Sequence, residues 1–301
     1  MPRIAVIGSA TGQLAHSLLE AAPSEVMLLG RPQLDLSSPD TVKAALASVK
    51  ADIVVNAAAY TAVDRAESEP DMAFRVNRDG AAAVAEACYR QHLPLIHVST
   101  DYVFDGCKPG AWREGDDCNP QGVYGRSKWE GEQAVLASGA RAVVLRTAWV
   151  HSPFGNNFVK TMLRLARERD GLRVVDDQHG SPTYAPDLAS AILAMTTRLV
   201  AEPANAALTD IFHLAGAGSA TWCGFAREIM TVAAQCGVRS VPVQAITTAD
   251  YPTPAKRPTN SVLDTAKIWQ VYNLVLPPWQ DGVRRCVARL LAGGRNREVK
   301  W

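Results

Sequence analysis

The sequence predicts a doubly wound α/β fold: a parallel sheet with helices on both faces and a smaller C-terminal lobe. Two observations carry this. Short Val/Ile/Leu runs alternate with longer helix-compatible stretches through the first half of the chain. The runs are apolar throughout, without strict alternation, which is the pattern of strands covered on both faces. A third observation links architecture to chemistry. The motifs of the first half follow directly on these runs, and a doubly wound sheet binds ligands outside the carboxyl ends of its strands.

Ile4–Gly8 is the first expected strand, and Gly12–Ala22 the helix after it, with Leu14, Leu18 and Leu19 at helical spacing. Glu25–Leu29 is the second strand, Asp40–Val49 a helix entered after Pro39, and Asp52–Asn56 the third strand. Asp71–Gln91 reads as one long Ala-rich helix. Leu93–Ser99 is the fourth strand, Val123–Ser138 a helix and Ala140–Arg146 the fifth strand. Beyond Arg146 the rhythm loosens. Helices are expected at 157–169, 186–199, 221–235 and 279–291, and short strands at 172–175 and 210–214. Thr247–Arg257, with Pro252 and Pro254, reads as an ordered loop, and the polar stretch Gly293–Trp301 as a mobile tail. Residues 1–150 are thus expected to form a Rossmann domain, completed by 172–214. Residues 151–171 and 215–301 are expected to form the lobe.

A chain of 301 residues can bury a sizeable core, and 48% hydrophobic with 20% charged residues is ordinary globular composition. The net charge of +1 gives no global field for nucleic acid or an anionic membrane. No apolar run approaches the ~18 residues of a membrane span, so neither partner is expected. A strand beginning at Ile4 leaves no room for a secretory leader. The six cysteines (Cys88, Cys107, Cys118, Cys223, Cys236 and Cys286) are scattered, with no CxxC or Cys/His cluster. Reduced thiols, a cytoplasmic location and no metal are the expectations.

The first strand runs into Gly8-Ser9-Ala10-Thr11-Gly12-Gln13-Leu14-Ala15. A glycine-rich turn at a helix N-terminus presents N–H groups and partial positive charge to a pyrophosphate. Gly8, Gly12, Gln13 and Leu14 are the candidates, although Ser9 and Ala15 stand where further glycines are expected. The second strand ends in Gly30-Arg31. An acidic residue there would select NAD through the ribose hydroxyl, whereas Arg31 suits a 2′-phosphate, so NADPH is favoured and NADH stays open. The alternative for Arg31 is a solvated loop charge. Asp35 and Leu36 could border the adenine, and the small Ala57, Ala58 and Ala59 would let a cofactor lie close to the backbone.

Tyr124-Gly125-Arg126-Ser127-Lys128 opens a predicted helix, and the i, i+4 spacing puts phenol and ammonium on one face. Carbonyl reduction needs a proton donor beside the oxygen that becomes an alkoxide. A tyrosine with a pKa near ~10 is sluggish in that role, and a nearby cation is expected to lower it by roughly 1–3 units. Ser99 or Thr100, at the end of the fourth strand, could donate a hydrogen bond to the same oxygen, with Thr100 the choice. A hydroxyl capping a turn is the alternative.

At this point the chain resembles a known family. Val98-Ser99-Thr100-Asp101-Tyr102-Val103-Phe104-Asp105-Gly106 with Tyr124–Glu132 resembles the extended short-chain dehydrogenases. Arg146-Thr147-Ala148-Trp149-Val150, Asp177–Thr183 and Arg257–Asp264 resemble dTDP-4-dehydrorhamnose reductase in particular. The similarity runs from about residue 4 to about residue 285. It implies NADPH-dependent reduction of the 4-keto group of dTDP-4-dehydro-β-L-rhamnose to dTDP-L-rhamnose. By family roles Tyr124 protonates the oxygen, Lys128 tunes it and holds the nicotinamide ribose, and Thr100 completes the triad. Asp101, Tyr102, Trp149, Asn157 and Arg257 fall near the sugar nucleotide: an indole can cover a flat face and a guanidinium can pair with phosphate. Core packing for Trp149 and a surface charge for Arg257 are the bland alternatives. Some family members dimerise through Mg²⁺ held by acidic side chains. No matching acidic cluster is identified here, so no metal is expected, and a homodimer stays open. The competing readings are another nucleotide-sugar 4-ketoreductase or epimerase, and a non-catalytic regulator like the methionine adenosyltransferase β subunit.

Overall fold

The computed structural model describes residues 1–294, so the tail from Arg295 on lies outside the described residues. The first half follows the expected alternation: β1 (Ile4–Ile7), α1 (Gln13–Ala21), β2 (Val26–Leu29), α2 (Pro39–Ala47), β3 (Ile53–Asn56), α3 (Val63–Ala66), α4 (Pro70–Phe74), α5 (Gly80–Arg90), β4 (Leu95–Thr100), α6 (Val123–Ala137) and β5 (Ala142–Thr147). The second half holds β6 (Val150–His151), α7 (Phe158–Glu168), β7 (Leu172–Val175), β8 (His179–Gly180), β9 (Thr183–Tyr184), α8 (Ala185–Ala201) and β10 (Ile211–His213). It ends with β11 (Ala220–Thr221), α9 (Trp222–Gln235), β12 (Val243–Ile246), α10 (Ala266–Tyr272) and α11 (Trp279–Gly294).

Six parallel strands pair in the order β10-β5-β4-β3-β1-β2. The order reverses at β1, which opens a crevice between the ends of β1 and β3. Successive residues of β1 point to opposite faces, and both faces are buried. Ile4 and Val6 pack with Leu18 of α1 and Ile192 of α8, while Ala5 and Ile7 pack with Val42 of α2 and Val84 of α5. This double burial is why the strands carry no polar alternation. A separate core in the lobe joins α7, α9 and α11 through Leu163, Phe225 and Val287.

Two expectations need correction. β10 does join the main sheet, but β7, assigned to it from sequence, pairs with β12 instead. β12 itself was not foreseen, because its Gln244 and Ala245 are exposed and leave no continuous apolar run. Asp71–Gln91 is not one regular helix. A π-helical turn at Arg75–Asp79 separates α4 from α5. The wider turn carries Asn77 inward, where it accepts from Tyr60 N (2.8 Å) and donates to Tyr60 O (3.1 Å) and Ser127 Oγ (2.9 Å). Such turns often sit at functional sites. Among the described residues no helix is long and apolar enough to cross a membrane.

Helix α6 lies unusually close to its neighbours. A Cβ on Gly131 would fall 2.1 Å from Asn77 O, and one on Gly125 2.2 Å from Tyr102 O. Only a bare backbone allows this approach. Gly131→Ala is therefore expected to destabilise the protein by ~1–3 kcal/mol or more, read as a lower urea midpoint. Gly115→Ala, with nothing within 4 Å of the added methyl, should stay within ~0.5 kcal/mol of the parent. Equal midpoints for the two variants would refute the close packing.

Candidate active site

The crevice begins at Gly8. A Cβ there would lie 2.7 Å from the Ala15 methyl, and one on Gly30 would lie 2.8 Å from Gly8 O. Ala15 thus fits where a glycine was expected because Gly8 leaves it room. Gly12 caps α1 in extended geometry (φ −72°, ψ 137°), and no side chain caps the helix. The first turn of α1 therefore keeps N–H groups and partial positive charge for an anion, which fits the pyrophosphate of a dinucleotide. Leu14 is buried in the core, so it can meet a cofactor only through its backbone. The Gln13 side chain turns away to the lobe. Its Nε2 donates to Val150 O (3.2 Å), and its Oε1 accepts from Ser152 Oγ (2.9 Å) and Asn157 Nδ2 (3.0 Å).

Arg31 is exposed just past β2, and Ala57, Ala58 and Ala59 are half-buried just past β3. Hydrogen bonds from the Ser37 N–H and hydroxyl, aided by Arg31, hold the Asp35 carboxyl below its usual range. The Leu36 side chain is buried, and a Cβ on Gly80 of α5 would fall 2.5 Å from its carbonyl oxygen.

Thr100 ends β4, and Tyr124 and Lys128 occupy the first turns of α6. The Thr100 hydroxyl donates to Asp101 Oδ1 (3.0 Å), accepts from Tyr102 N (3.3 Å) and lies within hydrogen-bond reach of the Tyr124 phenol. Lys128 is 2% exposed, and its Nζ donates to Val98 O at 2.7 Å. Burial pulls the ammonium down to about 8, against the opposing pull of Glu132. The expectation that Lys128 makes the phenol more acidic is also corrected. Burial pushes Tyr124 up to about 12; the Thr100 hydroxyl opposes this and the Asp101 carboxylate reinforces it. The ammonium is turned to the Val98 carbonyl, and the charge acting on the phenol is negative.

Asp101 is buried beside them, and its Oδ2 has no partner. Burial pushes its carboxyl up to about 6, although hydrogen bonds from Ser261, Thr100 and the Tyr102 N–H oppose this. Tyr102 meets Tyr124 edge-on, ring centroids 5.6 Å apart, and burial drives its phenol above the usual range. Arg257 sits next to Tyr102 and is tied to Asp64 of α3 at 2.7 Å. Asp101, Tyr102 and Arg257 therefore converge with the triad.

Trp149 and Asn157 each make close contacts within the protein. The half-buried Trp149 ring is stacked on Trp222 (3.6 Å, 8°) and lies against Gly180. Its backbone has φ +45°, rare for a bulky residue and a common mark of functional sites. Asn157 caps α7: its Oδ1 accepts from Lys160 N, and its Nδ2 donates to Gln13, Ser152 and Phe154. Its Oδ1 keeps a second lone pair that can accept from a ligand hydroxyl. Sequence reasoning did not single out Asp64, Trp222 or Ser261 as site residues. Ser261 lies inside a stretch that carried the family resemblance, whereas Trp222 had no signal beyond being aromatic. Among the described residues no group of three or more His, Cys, Asp or Glu could hold a metal ion.

A crevice at the sheet's switch point, with threonine, tyrosine and lysine beside it, defines an oxidoreductase of the extended short-chain dehydrogenase class. A family model described as RmlD substrate binding domain matches residues 2–292. A dTDP-4-dehydrorhamnose reductase from Sinorhizobium fredii is 47% identical over 296 residues, covering 98% of this chain and 99% of its own. The structure of such a reductase from Clostridium acetobutylicum superposes with a TM-score of 0.88 at 34% identity, covering 96% of this chain and 99% of that one. One from Bacillus anthracis, in complex with NADP, gives 0.87 at 34% identity, covering 96% and 100%. This chain belongs to the dTDP-4-dehydrorhamnose reductase family.

The buried carboxyl of Asp101 makes stability depend on pH. Its folded value of about 6 lies above the ordinary one near ~3.9, so ionisation opposes folding, by on the order of 2–3 kcal/mol once complete. That cost is absent below pH ~4 and in full force above pH ~7. Asp101→Asn should accordingly be more stable than the parent at pH 8, by ~1–3 kcal/mol, with the gap closing toward pH 4. Urea midpoints across that range test this, and a gap independent of pH would contradict it.

Proposed function

We propose that this chain reduces the 4-keto group of dTDP-4-dehydro-β-L-rhamnose to give dTDP-L-rhamnose, with NADPH as the reductant. The observation that carries the reading is the convergence of Thr100, Tyr124 and Lys128 at the ends of β4 and α6, beside a crevice suited to a dinucleotide. The hydride that reduces the carbonyl carbon is the chemistry NADPH supplies when bound. Tyr124 gives the proton to the carbonyl oxygen, and a phenol pushed up to about 12 is held in the protonated form this step requires. Lys128 holds the nicotinamide ribose, and Thr100 offers a hydroxyl to the same carbonyl oxygen. Gly8, Gly12 and the N-terminus of α1 hold the pyrophosphate, and Arg31 pairs with the 2′-phosphate. Arg257, preset by Asp64, meets the diphosphate of the sugar nucleotide, and the unpartnered oxygen of Asp101 accepts from a sugar hydroxyl. The six free thiols support a cytoplasmic location. The family resemblance is compatible with a homodimer.

Tyr124→Phe should lose at least ~10²-fold in kcat while still binding NADPH, followed by absorbance at 340 nm and by fluorescence titration of the cofactor. Undiminished turnover would remove the proton-donor role. Arg31→Ala should raise KM for NADPH by ~10-fold or more and leave KM for NADH nearly unchanged. An equal change for both cofactors would refute the 2′-phosphate contact.

A further inference from the structure

Helix α6 starts without a cap of its own. Its N-cap position is Gly122, in extended geometry (φ −134°, ψ 170°), with no side chain to accept from the unpaired N–H groups of the first turn. The acceptor comes instead from 56 residues upstream. Glu67, at the C-terminal end of α3, accepts from Val123 N through Oε1 at 2.8 Å. A Cβ on Gly122 would lie 2.8 Å from the same Oε1, so the glycine keeps this place open for the carboxylate. The negative charge also complements the positive end of the α6 dipole. Val123 immediately precedes Tyr124, so whatever holds Val123 N bears directly on where the phenol stands.

The element that supplies the cap is informative. Helix α3 is short, and its Ala66 is fully buried. Asp64, one turn before Glu67, accepts from Arg257 Nη2 at 2.7 Å and from Ala255 N at 3.2 Å. Lys256, between those two, donates to Gln121 Oε1 at 3.1 Å, one residue before Gly122. The segments 64–67, 121–123 and 255–257 therefore meet at one place. One carboxylate of this turn fixes the arginine assigned to the diphosphate, and the other fixes the helix that carries the proton donor. A cap from within the loop before α6 would tie the helix only to that loop. A cap from α3 ties it to the element that also holds Arg257.

We propose that Glu67 is a positioning residue for the proton transfer: by capping α6 from α3, it sets the Tyr124 phenol relative to Thr100 and to Arg257. The proton-donor role of Tyr124 rests on the reductase reading; the placement of its ring by Glu67 stands apart from that reading. The capping bond needs an acceptor oxygen, which the amide of glutamine also carries. Glu67→Gln therefore keeps the placement, and Glu67→Ala loses it.

The test uses the full chain as wild type, Glu67→Gln, Glu67→Ala and Glu67→Ala/Gly122→Ser. In the double variant, removing the carboxylate clears room for a serine that caps α6 locally. Tyr124 ring resonances are followed in ¹³C-tyrosine-labelled protein, assigned with Tyr124→Phe, alongside urea midpoints, kcat and KM for NADPH. In Glu67→Ala the Tyr124 resonances should shift and kcat should fall ~10-fold or more, with KM for NADPH within ~2-fold of wild type. Glu67→Gln should match wild type in its resonances and stay within ~3-fold in kcat. The double variant should regain the urea midpoint without regaining kcat, and it supplies the same comparison if Glu67→Ala alone does not fold. Unmoved Tyr124 resonances or an unchanged kcat after loss of the carboxylate overturn the proposal, as does a glutamine variant no better than alanine. Recovery of kcat in the double variant also overturns it, because the cap would then act through stability alone. If wild type shows no turnover with the keto-sugar, the reductase reading fails, and the Tyr124 resonances alone decide this proposal.

Discussion

A charged amine in a protein interior persists only where something replaces the water it has lost, and the active site is organised around one such amine. Lys128 reaches the Val98 carbonyl at 2.7 Å from a helix pressed against the end of β4. To bring it that close, α6 must touch backbone on two sides, which is why Gly125 and Gly131 stand where any side chain would strike Tyr102 or Asn77. The π-turn at Arg75–Asp79 belongs to the same arrangement, because it turns Asn77 inward to meet Ser127 on α6. Helix, turn and strand end thus form a single seat, and Tyr124 takes its place relative to Thr100 from that seat.

The ionisable groups in this seat are all displaced toward their neutral forms. Burial raises the phenol of Tyr124 and the carboxyl of Asp101, and lowers the ammonium of Lys128. Opposed shifts clustered in one cleft are characteristic of sites where protons move.

Much of this was legible in the sequence, and the limit is physical. The apolar runs, the glycine turn and the Tyr124–Lys128 spacing are local patterns, set by strand burial and helical pitch, so they can be read from a short window. Thr100 was legible because it ends a strand that feeds the crevice. What could not be read depended on partners far away in sequence. Arg257 meets Asp64, Trp149 is covered by Trp222, Arg146 closes on Glu132, and β7 finds β12. Leu36 and Leu14 lie in segments picked out for the cofactor, and their apolar side chains pack into the core. The phenol's shift was misjudged in sign because helical spacing does not reveal the burial that raises it.

The amide of Gln13 belongs to two structures at once. It stands on the first turn of the helix that opens the phosphate turn, and it is bonded to Ser152 and to Asn157, the residue that starts α7 of the lobe. Redesign of nucleotide preference usually treats such a turn as an interchangeable cassette. Here a transplanted turn would remove the anchor of the opposite wall, so the smallest portable unit is the turn together with residues 150–157.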